Sequence, residues 1–191
     1  MKQLIALFVL LSSFSTAFSQ QATHVVLITI DGFRPDFYLD PSWKAVNIRQ
    51  LMKDGAHANG VNSVFPSMTY PSHTTIVTGV WPAKHGVYFN GLFEPNGATG
   101  KIYWNDSSIK VPTIWGAAQA KGMKVAALLW PVSADAPVMY NIPDIGSMGE
   151  KVREDFSKPA GIVAELEKNV FDNASKIEWG KDYNIARIAS Y

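Results

Sequence analysis

The 191-residue chain contains no cysteine. That absence excludes disulfides, thiolate metal ligands and a cysteine nucleophile together, so the fold has to be held by apolar burial or by bound metal. Charge is also sparse: charged residues make up 17%, and 17 Lys and Arg against 16 Asp and Glu leave a formal net charge of +1. Without a dense basic run the sequence gives little reason to propose a nucleic-acid-binding face, and any phosphate chemistry must rest on local groups. Long apolar runs are missing too. The stretch from Leu4 to Leu11 falls far short of the roughly 20 residues that a membrane-spanning helix needs, and serines interrupt the residues after it. The chain has four histidines, and none stands in a metal-binding repeat such as HxxxH.

The N-terminus carries Lys2, an apolar core and Ala17-Phe18-Ser19, the pattern of a secretory leader and its small-x-small cleavage site. Residues 1–19 are therefore expected to be a signal peptide and 20–191 the exported chain, periplasmic or extracellular. The hydrophobic content of 47% fits one globular domain.

Apolar periodicity gives an α/β order. The β-branched run His24 to Ile30 predicts a strand buried on both faces of a parallel sheet, with Asp31 at its C-terminal end. Open α/β sheets place their ligands at that edge. A helix is predicted within Trp43 to Asp54, stopped by Gly55. A second opens at Pro71 and ends at Gly79, which puts Thr69 just ahead of a helix N-terminus. Tyr88 to Thr99 reads as loop. Pro112 to Lys121 reads as helix, with Ile114, Ala117 and Ala118 in register, and Lys124 to Trp130 as a second buried strand. Pro131 to Lys158 has no sustained period and reads as a long loop or small insertion. Further helices are predicted at Pro159 to Phe171, with Ile162, Val163, Leu166 and Val170 on one face, and from Asp182 on, with Ile185, Ile188 and Ala189 inward. Two strand candidates are few for a covered parallel sheet, so the chain reads as the N-terminal part of a longer protein.

Two stretches carry candidate chemistry: Ile28-Thr29-Ile30-Asp31-Gly32-Phe33-Arg34, and Ser67-Met68-Thr69-Tyr70-Pro71-Ser72-His73. A threonine hydroxyl is a weak nucleophile unless a base or a metal activates it. A carboxylate at a strand end can hold a cation that also contacts the hydroxyl. The structural alternatives are a helix-capping role for Thr69 and a turn role for Asp31. Asn90 reads as a turn residue, His73 and His85 as packing or turn-stabilising residues, and Tyr70 as core or loop packing.

In their order, these stretches, with Ile76-Val77-Thr78-Gly79, Pro82-Ala83-Lys84-His85-Gly86, Val111-Pro112-Thr113-Ile114-Trp115 and Leu129-Trp130-Pro131, resemble the nucleotide pyrophosphatase/phosphodiesterase family of the alkaline phosphatase superfamily. The resemblance implies an alkaline-phosphatase-like α/β sandwich, with a mostly parallel central sheet and helices on both faces, incomplete in this chain. It implies that Asp31 is a metal-ligating aspartate and that Thr69 is both nucleophile and metal contact. Asn90 would bind a phosphate oxygen and Tyr70 would stack on a nucleobase. The implied cofactors are two divalent metal ions, zinc in the family, and the implied substrate is a nucleotide or another small phosphodiester. The nucleophile forms a covalent phosphothreonine intermediate that is released to water. Ser72 departs from the asparagine common in the family. The family's remaining Asp and His ligands match no position here, so little catalysis and weak metal binding are expected of these 191 residues. A phosphomonoesterase, a phosphonate hydrolase, or a non-catalytic relative that binds nucleotides or proteins are the alternatives.

Overall fold

The computed structural model describes residues 22–146, 148–171 and 177–191. The predicted signal peptide lies outside them. Contacts divide the chain at Leu51 into two units.

In the first unit, Phe33, Phe37, Tyr38 and Trp43 form an aromatic cluster with ring centroids 4.8 to 5.9 Å apart. It surrounds a single-turn helix, α1 (Asp36–Leu39). Helix α2 (Val46–Asp54) comes next, where periodicity places it, although none of its residues is buried. Arg49 ties its first turns back by donating to the carbonyls of Tyr38 and Trp43. The expected strand from His24 to Ile30 is not formed, and Val25, Val26 and Ile28 are 85%, 79% and 76% exposed. A β-branched run becomes a strand only where a neighbour accepts and donates its ladder hydrogen bonds. Among the described residues no strand pairs with this run.

The second unit opens with α3 (Thr69–Thr78), entered from Met68 in an extended conformation and left through Gly79 at φ 69°. The helix starts earlier than predicted. Thr69 is its first residue and Pro71 its third. The first N–H groups of a helix have no intrahelical acceptor, so proline is tolerated anywhere in that turn. A short helix, α4 (Pro82–His85), ends at Gly86, also left-handed, at φ 85°.

The segment expected to be a loop after Tyr88 folds instead into an antiparallel hairpin, β1 (Gly91–Glu94) and β2 (Gly97–Ile102), closed through Pro95 and Asn96. Its strands carry glycine, threonine and lysine where an apolar alternation would have announced them. Helix α5 (Ile114–Ala120) is capped by Thr113, whose Oγ1 accepts from the Gly116 N–H, and it buries Trp115. Strand β3 (Ala126–Leu128) is the centre of the predicted Lys124 to Trp130 run. It pairs in parallel with β4 (Tyr140–Ile142), Ala127 opposite Asn141. β4 and helix α6 (Glu150–Phe156) both lie in the stretch expected to be a loop. They are too short to show a period.

Helices α7 (Ile162–Asn169) and α8 (Asp182–Ser190) bring Ile162, Leu166 and Ile188 together with Ile142, Phe171 and Ile177 in one core cluster, as their periodicity predicts. Ala189, expected inward, is exposed, and Asn184 is buried in α8. A second cluster joins Val77 of α3 to Trp115, Ala127, Ala136 and Val138. A third, of Tyr70, Val87 and Val132, lies at the start of α3.

Candidate active site

The loop leaving β3 is backbone-strained. Leu129, Val132 and Asp135 all take positive φ, at 48°, 58° and 62°. That conformation is uncommon for side chains other than glycine, and an outlier for β-branched valine. Val132 is fully buried and packs on Tyr70. Strain therefore collects at the C-terminal end of a parallel strand, against the first turn of α3.

That turn carries Thr69 and Tyr70. The residue at the N-cap is Met68, and no side chain caps the helix there. The Thr69 hydroxyl is thus not the N-cap acceptor. One of the first-turn N–H groups, that of Tyr70, is instead taken by the side chain of Asn90, whose Oδ1 accepts at 2.9 Å. Asn90 is held from behind as its own carbonyl accepts from the Tyr103 N–H at 3.0 Å. A backbone N–H can face only the oxygen of an amide, so the Nδ2 hydrogens of Asn90 point elsewhere as donors. The structure brings Asn90 against the residue next to Thr69, at the positive end of the helix dipole, where anions are favoured.

Tyr70 is 6% exposed, and its ring lies against Val87 and Val132. Its hydroxyl donates to Asp144 Oδ2 at 3.1 Å. Burial, with the Asp144 carboxylate beside it, pushes the phenol pKa far up and keeps it a donor. The ring that the resemblance assigns to base stacking is packed in this structure.

His73 Nδ1 donates to the Thr69 carbonyl at 2.7 Å, and its ring meets Trp130 edge-on. His85, fully buried, accepts the Val87 N–H on Nδ1, and its Nε2 contacts Thr75 Oγ1 at 3.0 Å. Burial lowers the His85 pKa, partly offset by a hydrogen bond with the Pro71 backbone, so the ring is a neutral strut. Both histidines are structural supports of α3. Asp31 lies in a turn of the first unit beside Gly32 at φ 63°.

Sequence reasoning passed over Asp144. The string Pro143-Asp144-Ile145-Gly146 is a turn signature that could have marked the residue, but nothing local announces its partner 74 positions away.

The sequence matches the type I phosphodiesterase / nucleotide pyrophosphatase family over residues 25–185. The chain belongs to that family. It is 32% identical over 126 residues to ectonucleotide pyrophosphatase/phosphodiesterase family member 3 of Bos taurus, covering 63% of this chain and 14% of that protein. To family member 5 of Homo sapiens it is 36% identical over 140 residues, covering 68% and 29%. Venom phosphodiesterase 2 of Crotalus adamanteus is 32% identical over 117 residues, covering 57% of this chain and 14% of that protein. The matched part of the chain thus spans between 14% and 29% of these relatives. The fold is similar in part to that of murine family member 5, solved as an inactive threonine-to-alanine variant in complex with AMP. The TM-score is 0.51 at 24% identity, over 85% of this chain and 47% of that one. The α/β sandwich expected from the resemblance is therefore shared, in part, with these alkaline-phosphatase-like neighbours.

The family is one of metal-dependent phosphodiesterases. Two tetrahedral zinc sites need three or four protein ligands each. Among the described residues no group of three or more His, Cys, Asp or Glu side chains converges. Asp31 and Thr69 do not by themselves fit a metal pair. Among the same residues no helix is long and apolar enough to cross a membrane.

Proposed function

We propose that the protein to which this chain belongs hydrolyses phosphodiester or pyrophosphate bonds in nucleotides or related small molecules, with Thr69 as nucleophile. The observation that carries the reading is the Asn90 side chain bound to the Tyr70 N–H in the first turn of α3, immediately after Thr69. An amide held at the first turn of a helix supports this reading, because a helix N-terminus favours an anion and the free amide hydrogens can donate to a phosphoryl oxygen.

In this reading the Thr69 Oγ1 gives up its proton to solvent and forms a bond to phosphorus as the bond to the leaving oxygen breaks, the leaving oxygen taking a proton from solvent. The Asn90 amide donates to a non-bridging oxygen as charge gathers there. Water then attacks phosphorus in turn, and the Thr69 hydroxyl is recovered. Metal ions would supply Lewis acidity, with Asp31 and Thr69 among their ligands. Because these two residues do not build such a site, the 191-residue chain alone is expected to turn over little or no bis-p-nitrophenyl phosphate.

The murine neighbour, described as inactive with a threonine changed to alanine and holding AMP, supports both the nucleophile and the substrate class. The names of the relatives, ectonucleotide and venom enzymes, support export, with residues 1–19 as leader.

The test is Thr69→Ala in the full-length gene product. The expected result is a loss of diester turnover of about a thousandfold or more with AMP binding retained. Undiminished turnover would remove Thr69 from the mechanism. Robust zinc-dependent turnover by the 191 residues alone would show that the metal site is more complete than its residues indicate. Rates on a diester and a monoester, measured side by side, distinguish a phosphodiesterase from a phosphomonoesterase.

A further inference from the structure

The loop from Pro143 to Gly146 is gripped at three points. Arg153, 8% exposed and stacked over Trp179 at 4.6 Å, donates through Nη1 to the Pro143 carbonyl at 2.9 Å. Asp144 Oδ1 accepts the Gly146 N–H at 3.0 Å. The second carboxylate oxygen is thereby aimed at Tyr70, whose hydroxyl it accepts. Glycine is favoured at 146, where φ is 55° and a Cβ would lie 3.0 Å from Ile102 Cδ1 and 3.8 Å from the Tyr70 hydroxyl.

Tyr70 is therefore held at both ends. Its phenol is fixed by Asp144 and its backbone N–H by Asn90. Hydrogen bonds weaken steeply as their angle opens. A first turn that shifts when the ring end is released will therefore misalign the N–H and swing the Asn90 amide. A phenylalanine would fill the apolar space between Val87 and Val132 equally well. The buried hydroxyl and its charge-assisted acceptor serve something besides packing.

We propose that Asp144 is a positioning residue: through the Tyr70 hydroxyl it maintains the hydrogen bond that orients the Asn90 amide for a phosphate oxygen. This rests on the phosphate-binding reading of Asn90 and adds the residue that keeps that amide in place.

The test is amide exchange and AMP titration, both monitored by heteronuclear NMR on the intact chain. Asp144→Ala and Tyr70→Phe should each speed exchange of the backbone amide at position 70 about tenfold, with the Val77 amide in the same helix unchanged. Asp144→Asn, whose carbonyl oxygen still accepts the phenol proton, should restore protection. Tyr70→Phe deletes one oxygen, so it decides the matter if Asp144→Ala fails to fold. Equal exchange in all variants, or faster exchange along the whole of α3, overturns the proposal. AMP that shifts the Asn90 side-chain protons in the unsubstituted chain, and by half or less in Asp144→Ala, supports it. Equal shifts in both overturn the positioning role and leave the phosphate reading standing. No shift in either overturns the phosphate reading and the proposal with it.

Discussion

At the residue scale, Asn90 is the most informative side chain of the site, because its two amide ends are committed differently. Oδ1 accepts the Tyr70 N–H, and Nδ2 is the end that could donate to a phosphate oxygen in the proposed reading. A carboxylate at this position would still accept that N–H but would present negative charge to a phosphate. Asn90→Asp is accordingly expected to be as damaging as Asn90→Ala, each lowering kcat/KM for a diester by about a hundredfold to a thousandfold in the full-length protein. Steady-state kinetics on the pair checks this. An Asp variant with near-normal activity would mean that the amide hydrogens do not contact the phosphate.

At the scale of elements, α3 is the platform and α4 is its brace. His85, at the end of α4, connects Thr75 and Val87 while wholly buried and neutral. Its pKa in the folded chain is lowered from 6.5, chiefly by burial, so the unfolded chain takes up the proton more readily. Stability from this group is complete above about pH 6.5 and is lost as pH falls through the range below it. Urea midpoints measured from pH 7.5 to pH 5 should fall, and His85→Gln should flatten that slope while lowering the midpoint at pH 7.5. Gly86 ends the same helix at φ 85°, where a Cβ would come within 2.8 Å of Lys110 Cγ. Lys110 Cγ can move only by turning χ1 close to the backbone, so Gly86→Ala should cost more than the left-handed backbone penalty alone, above about 1 to 2 kcal/mol by chemical denaturation.

At the scale of the whole molecule, α7 and α8 anchor one core cluster of the second unit, in which Leu166 is the most enclosed member at 2% exposed. Leu166→Ala should destabilise this unit by about 2 to 5 kcal/mol, read from its denaturation midpoint. With no convergent set of three ligands among the described residues, zinc retained by the 191-residue chain after dialysis should fall well below two equivalents. Retention of two tightly held ions would show a site assembled from residues other than Asp31 and Thr69.

The sequence by itself determined the family and the positions of the best-patterned helices. Both are local properties: Thr69 to Gly79 announces a helix through its proline, its apolar spacing and its terminal glycine. It likewise marked Asp31, Thr69 and Asn90 through a motif, and the buried face of α7 through its period, whereas α5 buries Trp115 and leaves Ile114 and Ala117, expected in the inward register, exposed. Only the tertiary structure decided what these residues touch. The bond from Tyr70 to Asn90 spans 20 positions and that from Tyr70 to Asp144 spans 74, and no periodicity encodes a partner that chain folding brings from so far. The same reason explains the reversals in secondary structure. The hairpin of β1 and β2 forms from a glycine-rich stretch because its two halves supply each other's hydrogen bonds. The apolar run before Asp31 forms no ladder because no described strand supplies them. A strand exists only with its neighbour, whereas a helix closes its hydrogen bonds within its own sequence.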